Sequence, residues 1–345
     1  MSTNIDRRSF LRLVSACPAL ALVSGSYPTG VGRALVGSDG HLDNIPIVLS
    51  GEFGYEQKVI RDLPAEMTID ARDASFIVAN SRNPDPNALV GCDVGWLPVN
   101  RYPLVIRNCP GVHFIGGRFG GEVPLATDWR DTYCNSAALL VRDGTSRATV
   151  EGVRARRCWD GIRLADGADG FHLKGCWLSE IRDDAVENDY LLNGVIEDCL
   201  FDGCFAGVSL DPASNDRDGR EKVVTIDQSL VRMNSYIAKG ELTHQAPIKA
   251  ADAAPKLRIR KSIFALSSAN MRGFPRLKRT WKRMIESGGN AILWLPDEPL
   301  PPDLPLPPSG FVLLKGAKAR DYWDAARRRW VLAHPDVPRF SDDEA

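Results

Sequence analysis

Four acids crowd into the stretch "DDAVEND": Asp183, Asp184, Glu187 and Asp189. Asp160 lies upstream in "WDGIRL" and Asp211 downstream in "SLDP", with Arg163, Arg182 and Arg217 as the neighbouring cations. The surrounding residues are aliphatics, cysteines and glycines, which suit a core and give like charges no reason to gather. Carboxyls held close together raise one another's pKa or bind a hard cation. Two chemistries follow. A carboxylic acid paired with a carboxylate can cleave a glycosidic bond, one group donating a proton and the other activating water. Alternatively, a Ca²⁺ held by Asp184, Glu187 and Asp189 can neutralise a uronate carboxylate, easing removal of the adjacent C–H proton by arginine or lysine in a lyase or epimerase reaction. The catalytic set expected here is Asp183, Asp184 and Glu187, assisted by Arg182 or Arg163. Substrate contacts are expected from Asp160, Asp189, Asp211, Trp159, Tyr190 and Arg217. Trp129, Tyr133 and Trp177 also fall near turns, where aromatic faces can stack on sugars. The competing reading of the acids is that they only cap turns or form solvated ladders.

Such side chains need a frame, and a repeat supplies one. Val150, Leu173 and Ile196 step by 23 residues, as do Gly152 and Gly175, Cys176 and Cys199, and Asp143, Asp166 and Asp189. Each repeat holds short stretches of period-two alternation separated by Gly, Asn or Asp, the pattern of strands and turns rather than helices. One such repeat cannot bury its apolar face alone; stacked repeats share a continuous core. Cys176 above Cys199, in register with Val153 and Ser229, is expected to form an internal ladder. Aligning "WDGIRL", "DDAVEN" and "FAGVSL" points Ile162, Val186 and Val208 inward and Arg163, Glu187 and Ser209 outward in one column. A sandwich is the alternative; propeller repeats are about twice as long.

"MTIDARDASFIV" (67–78), the "xIxxCxF" repeats and "RDDAVEN" together resemble the right-handed parallel β-helix of the pectin-lyase-like superfamily. The resemblance implies an all-β, single-stranded solenoid with coils of about 23 residues over 65–270. It also implies a carbohydrate-active protein, acting as lyase, hydrolase or epimerase on a uronate-containing polysaccharide. Asp183 and Asp184 match the Asp-Asp pair of polygalacturonase-type hydrolases. One repeat later those enzymes carry Gly-His-Gly; here the histidine position is Ala206. Noncatalytic glycan-binding or structural envelope proteins share the same fold and are the alternative.

The remainder of the 345 residues sets context. "DRRSFLRLVSACPALALVSG", with Arg7 and Arg8 before Ser9-Phe10-Leu11, looks like a twin-arginine export signal spanning 1–34. It predicts a periplasmic or secreted protein that folds before export, and its apolar run is too short to span a bilayer. Residues 35–64 are expected to form an N-terminal cap. A formal net charge of −1 argues against nucleic acid as partner. Cys92, Cys109, Cys134, Cys158, Cys176, Cys199 and Cys204 show no metal-ligand spacing and read mostly as buried thiols. The C-terminal part, 271–345, begins with "MRGFPRLKRTWKRM", six basic residues without an acid, either a solvated face or a contact for an anionic polymer. A proline strap (295–308) and a capping or packing helix follow, with Tyr322, Trp323, Ala326 and Trp330 on one face.

Overall fold

The structure is a computed structural model and describes residues 3–5, 45–80, 102–133, 137–212, 214 and 216–343. The export signal expected at 1–34 lies almost wholly outside these, as do Cys92 and Cys134. Among the described residues the chain is mostly β, with long parallel sheets. One sheet has eight strands in chain order, including Leu104–Arg107, Ala137–Arg142, Asp160–Leu164, Asp184–Glu187, Ala206–Leu210 and Ile248–Ala250. The other holds two rows joined through the strand His113–Gly121, which bends at Gly116 and Gly117. One row runs through Thr149–Glu151, Phe171–Lys174, Gly194–Glu197, Val223–Asp227 and Lys256–Arg260. Its companion runs through Arg154–Arg156, Trp177–Ser179, Leu200–Cys204, Leu230–Met233, Ile263–Leu266, Asn290–Trp294 and Phe311–Lys315. The chain visits the three rows in turn. Strands of these rows occur on both sides of the expected 65–270 span, from Ile47–Glu52 to Phe311–Lys315.

Register follows from which face must be dry. Val150, Leu173 and Ile196 pair strand to strand, and all three are buried. In the eight-stranded sheet Leu139, Ile162, Val186, Val208 and Ile248 form the inward column. Leu140, Arg163, Glu187, Ser209 and Lys249 form the outward one. Because side chains alternate, a slip of one residue would put the charged column into the core.

Turns recur at equivalent places. Gly152, Gly175, Asp198, Gln228, Lys261 and Gly289 all take positive φ, and each precedes a residue that faces inward. Those followers form the ladder Val153, Cys176, Cys199, Ser229, Ser262 and Asn290. The Ser229 hydroxyl accepts the Cys199 N–H at 3.2 Å, the Ser262 hydroxyl accepts that of Ser229 at 3.1 Å, and the Asn290 amide oxygen accepts that of Ser262 at 2.9 Å. Buried turn amides are thereby satisfied without water, as burial requires. The five described cysteines are free and buried.

Helices cover what the strands leave open. Helix α1 (Trp129–Thr132) is a single short turn. Helix α2 (Phe274–Arg283) packs beside the strand Ile248–Ala250, burying Leu277, Thr280 and Trp281, with the Thr280 hydroxyl donating to the Ile248 carbonyl at 2.9 Å. In the proline strap Leu304 is buried, and the Pro305 carbonyl accepts the Trp281 indole N–H at 2.8 Å. Helix α3 (Gly316–Ala333) lies across the outer flank of the third row, its Ala319, Trp323, Ala326 and Trp330 packed on Trp177, Leu200, Leu230, Ile263 and Ala291. Ala319 thus joins the face expected from the sequence, while Tyr322 stays exposed. No helix among the described residues is long and apolar enough to cross a membrane.

Candidate active site

The acids converge where the turn after the third row leads into the eight-stranded sheet. Asp160 and Asp184 are in register on adjacent strands, and the Asp160 carboxylate accepts the Asp184 backbone N–H at 3.1 Å. Asp183 occupies the turn just before, its own N–H bonded to the Trp159 carbonyl at 2.8 Å. Oxygens of Asp160, Asp183 and Asp184 lie within 4.8 Å of one another, and all three residues are buried. Glu187 and Asp189 continue the group along the outward face.

Three cations answer these five carboxyls. Lys249 donates to Asp184 Oδ2 at 2.8 Å. Arg163 reaches Glu187 at 3.2 Å and Asp189 at 3.1 Å, and its other arm donates to the Tyr102 hydroxyl at 3.4 Å. Arg217 donates to the Asp189 carbonyl at 3.0 Å and stacks on Tyr190 at 3.3 Å from the ring centre. Asp184 Oδ1 and Asp189 Oδ1 remain buried without a hydrogen bond.

The imbalance of charge is met by protons. Burial, then the charges of Glu187, Asp183 and Asp184, hold Asp160 well above the ordinary carboxyl range; a hydrogen bond shared with Glu187 raises it further and lowers Glu187. Burial and the neighbouring Asp184 charge lift Asp183 to about 7, against the pull of Lys249. Asp184 is raised by burial, with Lys249 opposing, and Glu187 by burial, with Arg163 opposing. Burial works against the charged forms of Lys249 and Arg163, yet the facing carboxylates outweigh it and raise both. Asp183 therefore exchanges its proton near neutrality, and the two cations do not.

Not every expected residue joins. Arg182 turns away and spends its guanidinium on the carbonyls of Pro124, Thr127 and Ile237, at 3.2, 2.9 and 3.4 Å, stacked on Tyr236. Asp211 pairs with Arg276 on α2 at 2.6 Å. Trp177 is buried under α3. Within the set expected to hold Ca²⁺, Asp184 pairs with Lys249, and Glu187 and Asp189 pair with Arg163; the trio Asp160, Asp183 and Asp184 also brings three carboxyl oxygens close enough to share a cation. Two groups at the site carried no signal that the repeat could expose. Lys249 lies 40 residues beyond Ser209, its partner in register, because the polar loop and the hairpin Tyr236–Thr243 interrupt the period. Tyr102 is separated from the site by more than one repeat in sequence.

Aromatic rings complete the surroundings. Trp129 sits 4.5 Å from Tyr133 and 5.5 Å from Trp159, with Tyr133 and Trp159 6.0 Å apart. Burial, then the charges of Asp183, Glu187 and Asp160, raise the Tyr133 phenol.

No protein-family model matches this chain, and no curated protein or solved structure matches it. Fold and site together define a protein of stacked parallel β-sheets with a buried carboxyl cluster on one sheet.

Proposed function

We propose that this chain is an exported, carbohydrate-active parallel β-helix of the pectin-lyase-like superfamily that hydrolyses glycosidic bonds of a polysaccharide. The observation that carries the reading is the trio Asp160, Asp183 and Asp184, buried, within 4.8 Å and including a carboxyl lifted to about 7. A buried acid that titrates near neutrality suits proton donation to a leaving oxygen. Asp183 takes that role. Asp184, held by Lys249, is the carboxylate that activates water, and Asp160 orients it through its backbone N–H. Proton abstraction by arginine or lysine, the route to elimination or epimerisation expected from the sequence, needs a cation that has given up its proton, and Lys249 and Arg163, the two that face the trio, are ion-paired and raised. Three strand rows visited in turn support the β-helix, and "DRRSFLRL" supports export by the twin-arginine route to the periplasm or beyond.

The deciding experiment treats a panel of acidic and neutral polysaccharides with the protein, with and without Ca²⁺. Chain length and unsaturated ends are followed together. Shorter chains without unsaturated ends, lost in Asp184→Asn, are expected. Unsaturated ends would make it a lyase. Glycan binding without products would leave a noncatalytic envelope protein.

A further inference from the structure

Two stretches from distant parts of the chain meet beside the carboxyl trio. One is the loop 122–133, which carries α1; the other is the hairpin Tyr236–Thr243. Leu125 and Trp129 of the loop pack with Tyr236 and Ala238 of the hairpin over Phe205. The Asp128 carboxylate joins the two. One of its oxygens accepts the Arg130 N–H at 2.9 Å within α1, and the other accepts the Gly240 N–H at 2.7 Å across the gap. The Tyr236 hydroxyl fixes the hairpin from below by donating to the Gly203 carbonyl at 2.6 Å.

Arg182 clasps them from underneath. It is 0 % exposed, and burying a guanidinium is costly unless its N–H groups find acceptors. Those acceptors come from both stretches at once: the Pro124 and Thr127 carbonyls of the loop at 3.2 and 2.9 Å, and the Ile237 carbonyl of the hairpin at 3.4 Å, with the Tyr236 ring 4.7 Å away. An apolar side chain could fill this space but could not bond three carbonyls. The next residue in the chain is the proton donor. Arg182 and Asp183 are both pinned to the preceding repeat, their N–H groups donating to the carbonyls of Cys158 at 2.9 Å and Trp159 at 2.8 Å.

What the clasp holds in place is Trp129, whose ring lies 4.5 Å from Tyr133 and 5.5 Å from Trp159. Its indole N–H hydrogen-bonds the Asp183 carboxyl and draws that acid's pKa down, against the burial and the Asp184 charge that lift it. Asp183 is thus faced by Asp184, Glu187 and Lys249 from the sheet, by Asp160 from the strand before, by Trp129 and Tyr133 from the loop, and by the charge of Arg182 in its own turn.

We infer that Arg182 is a positioning residue: by clasping the α1 loop to the hairpin it holds the Trp129 indole N–H on the Asp183 carboxyl and so fixes the direction in which that acid presents its proton. The role of Asp183 as proton donor rests on the hydrolase reading; the clasp itself does not. A hydrogen bond to the ionised form lowers a carboxyl's pKa. Freeing Trp129 therefore lets Asp183 keep its proton to higher pH while aiming it less well, and removing the Arg182 charge acts in the same direction.

The test compares the full chain with its Arg182→Met, Arg182→Lys and Trp129→Phe variants. Carbon-13 NMR of labelled aspartate carboxyls follows the Asp183 titration, its signal identified by its loss in Asp183→Asn. Hydrogen exchange follows the loop and the hairpin, and depolymerisation is measured against pH. Arg182→Met and Trp129→Phe should each raise the Asp183 midpoint by about half a pH unit or more. Arg182→Met should also speed exchange in both stretches by about tenfold or more. The rate of turnover should fall by about tenfold, with the alkaline limb of its pH profile moved upward. Arg182→Lys, which keeps the charge but reaches fewer carbonyls, should fall between Arg182→Met and the parent, and it carries the test of the clasp if Arg182→Met does not fold. The inference is overturned if Trp129→Phe titrates as the parent does, if the Arg182 variants leave exchange unchanged, or if exchange quickens while the Asp183 midpoint stays put, which is what a merely structural arginine would give. A parent that cuts no polysaccharide would remove the hydrolase reading, while the midpoint and the exchange rates would still decide the clasp.

Discussion

Replacing Asp183 with asparagine should make the protein more stable at alkaline pH while sharply lowering turnover. The Asp183 carboxyl is buried and titrates at about 7, against an ordinary value of 3.8. That gap of roughly three pH units, at about 1.4 kcal/mol each, corresponds to about 4 kcal/mol. The sign follows from the direction of the shift. A group raised in the folded state binds its proton more tightly there than in the unfolded chain. The stabilisation is fully present below about pH 4 and disappears as pH climbs to about 7. Above that, the folded protein carries an ionised Asp183 beside Asp184 at a cost that a neutral amide of the same shape avoids. Asp183→Asn should therefore match the parent near pH 4 and exceed it by up to about 4 kcal/mol near pH 8. Turnover should fall by about 10²–10⁴, the usual contribution of a positioned acid. Urea unfolding followed by circular dichroism at both pH values, beside a depolymerisation assay, measures all of this. A variant less stable than its parent at pH 8, or a difference that does not change with pH, would refute the reasoning.

Other perturbations have equally definite outcomes. Lys249→Met leaves the buried Asp184 carboxylate unpaired and should cost about 3 kcal/mol at pH 8 by urea unfolding, with a smaller loss as the pH is lowered and Asp184 takes up a proton. Asp343→Ala strands the Arg154 guanidinium, which is 1 % exposed and gripped at 2.6 and 2.8 Å by both Asp343 oxygens; a loss of about 3 kcal/mol with turnover per folded molecule unchanged is expected. Ser262→Ala breaks one rung of the internal ladder and orphans the Ser229 N–H, lowering stability by about 1–2 kcal/mol in the same assay. Because Lys249 and Arg163 already neutralise Asp184, Glu187 and Asp189, EDTA and added Ca²⁺ should leave the depolymerisation rate unchanged.

The sequence carries the frame of this protein more openly than its site. Val150, Leu173 and Ile196 announce their register because each must be dry in every repeat, so selection for burial writes the period directly. Pairing spacings of 24 for Ile162 with Val186 and 22 for Val186 with Val208 still preserve the outward column of Arg163, Glu187 and Ser209. The carboxyl cluster is legible for a different reason: Asp160, Asp183 and Asp184 stand out against an apolar background and lie one repeat apart. Direction is what the sequence hides. Arg182 adjoins Asp183 in the chain, yet the turn aims it at the loop carbonyls. Lys249 is distant in the chain, yet strand pairing delivers it to Asp184. Neither outcome follows from spacing, because insertions such as the Tyr236–Thr243 hairpin lengthen one repeat without shifting the strands around it.

The last residues of the chain close over some of its earlier ones. Helix α3 covers the apolar stripe of Trp177, Leu200, Leu230 and Ile263, and beyond it Phe340 and Asp343 clamp Arg154 against the Trp177 ring. A protease cut at the junction between the third row and helix α3 would therefore free a lid and uncover a greasy seam along the flank. The integrity of that connection is in this way legible on the outside of the molecule.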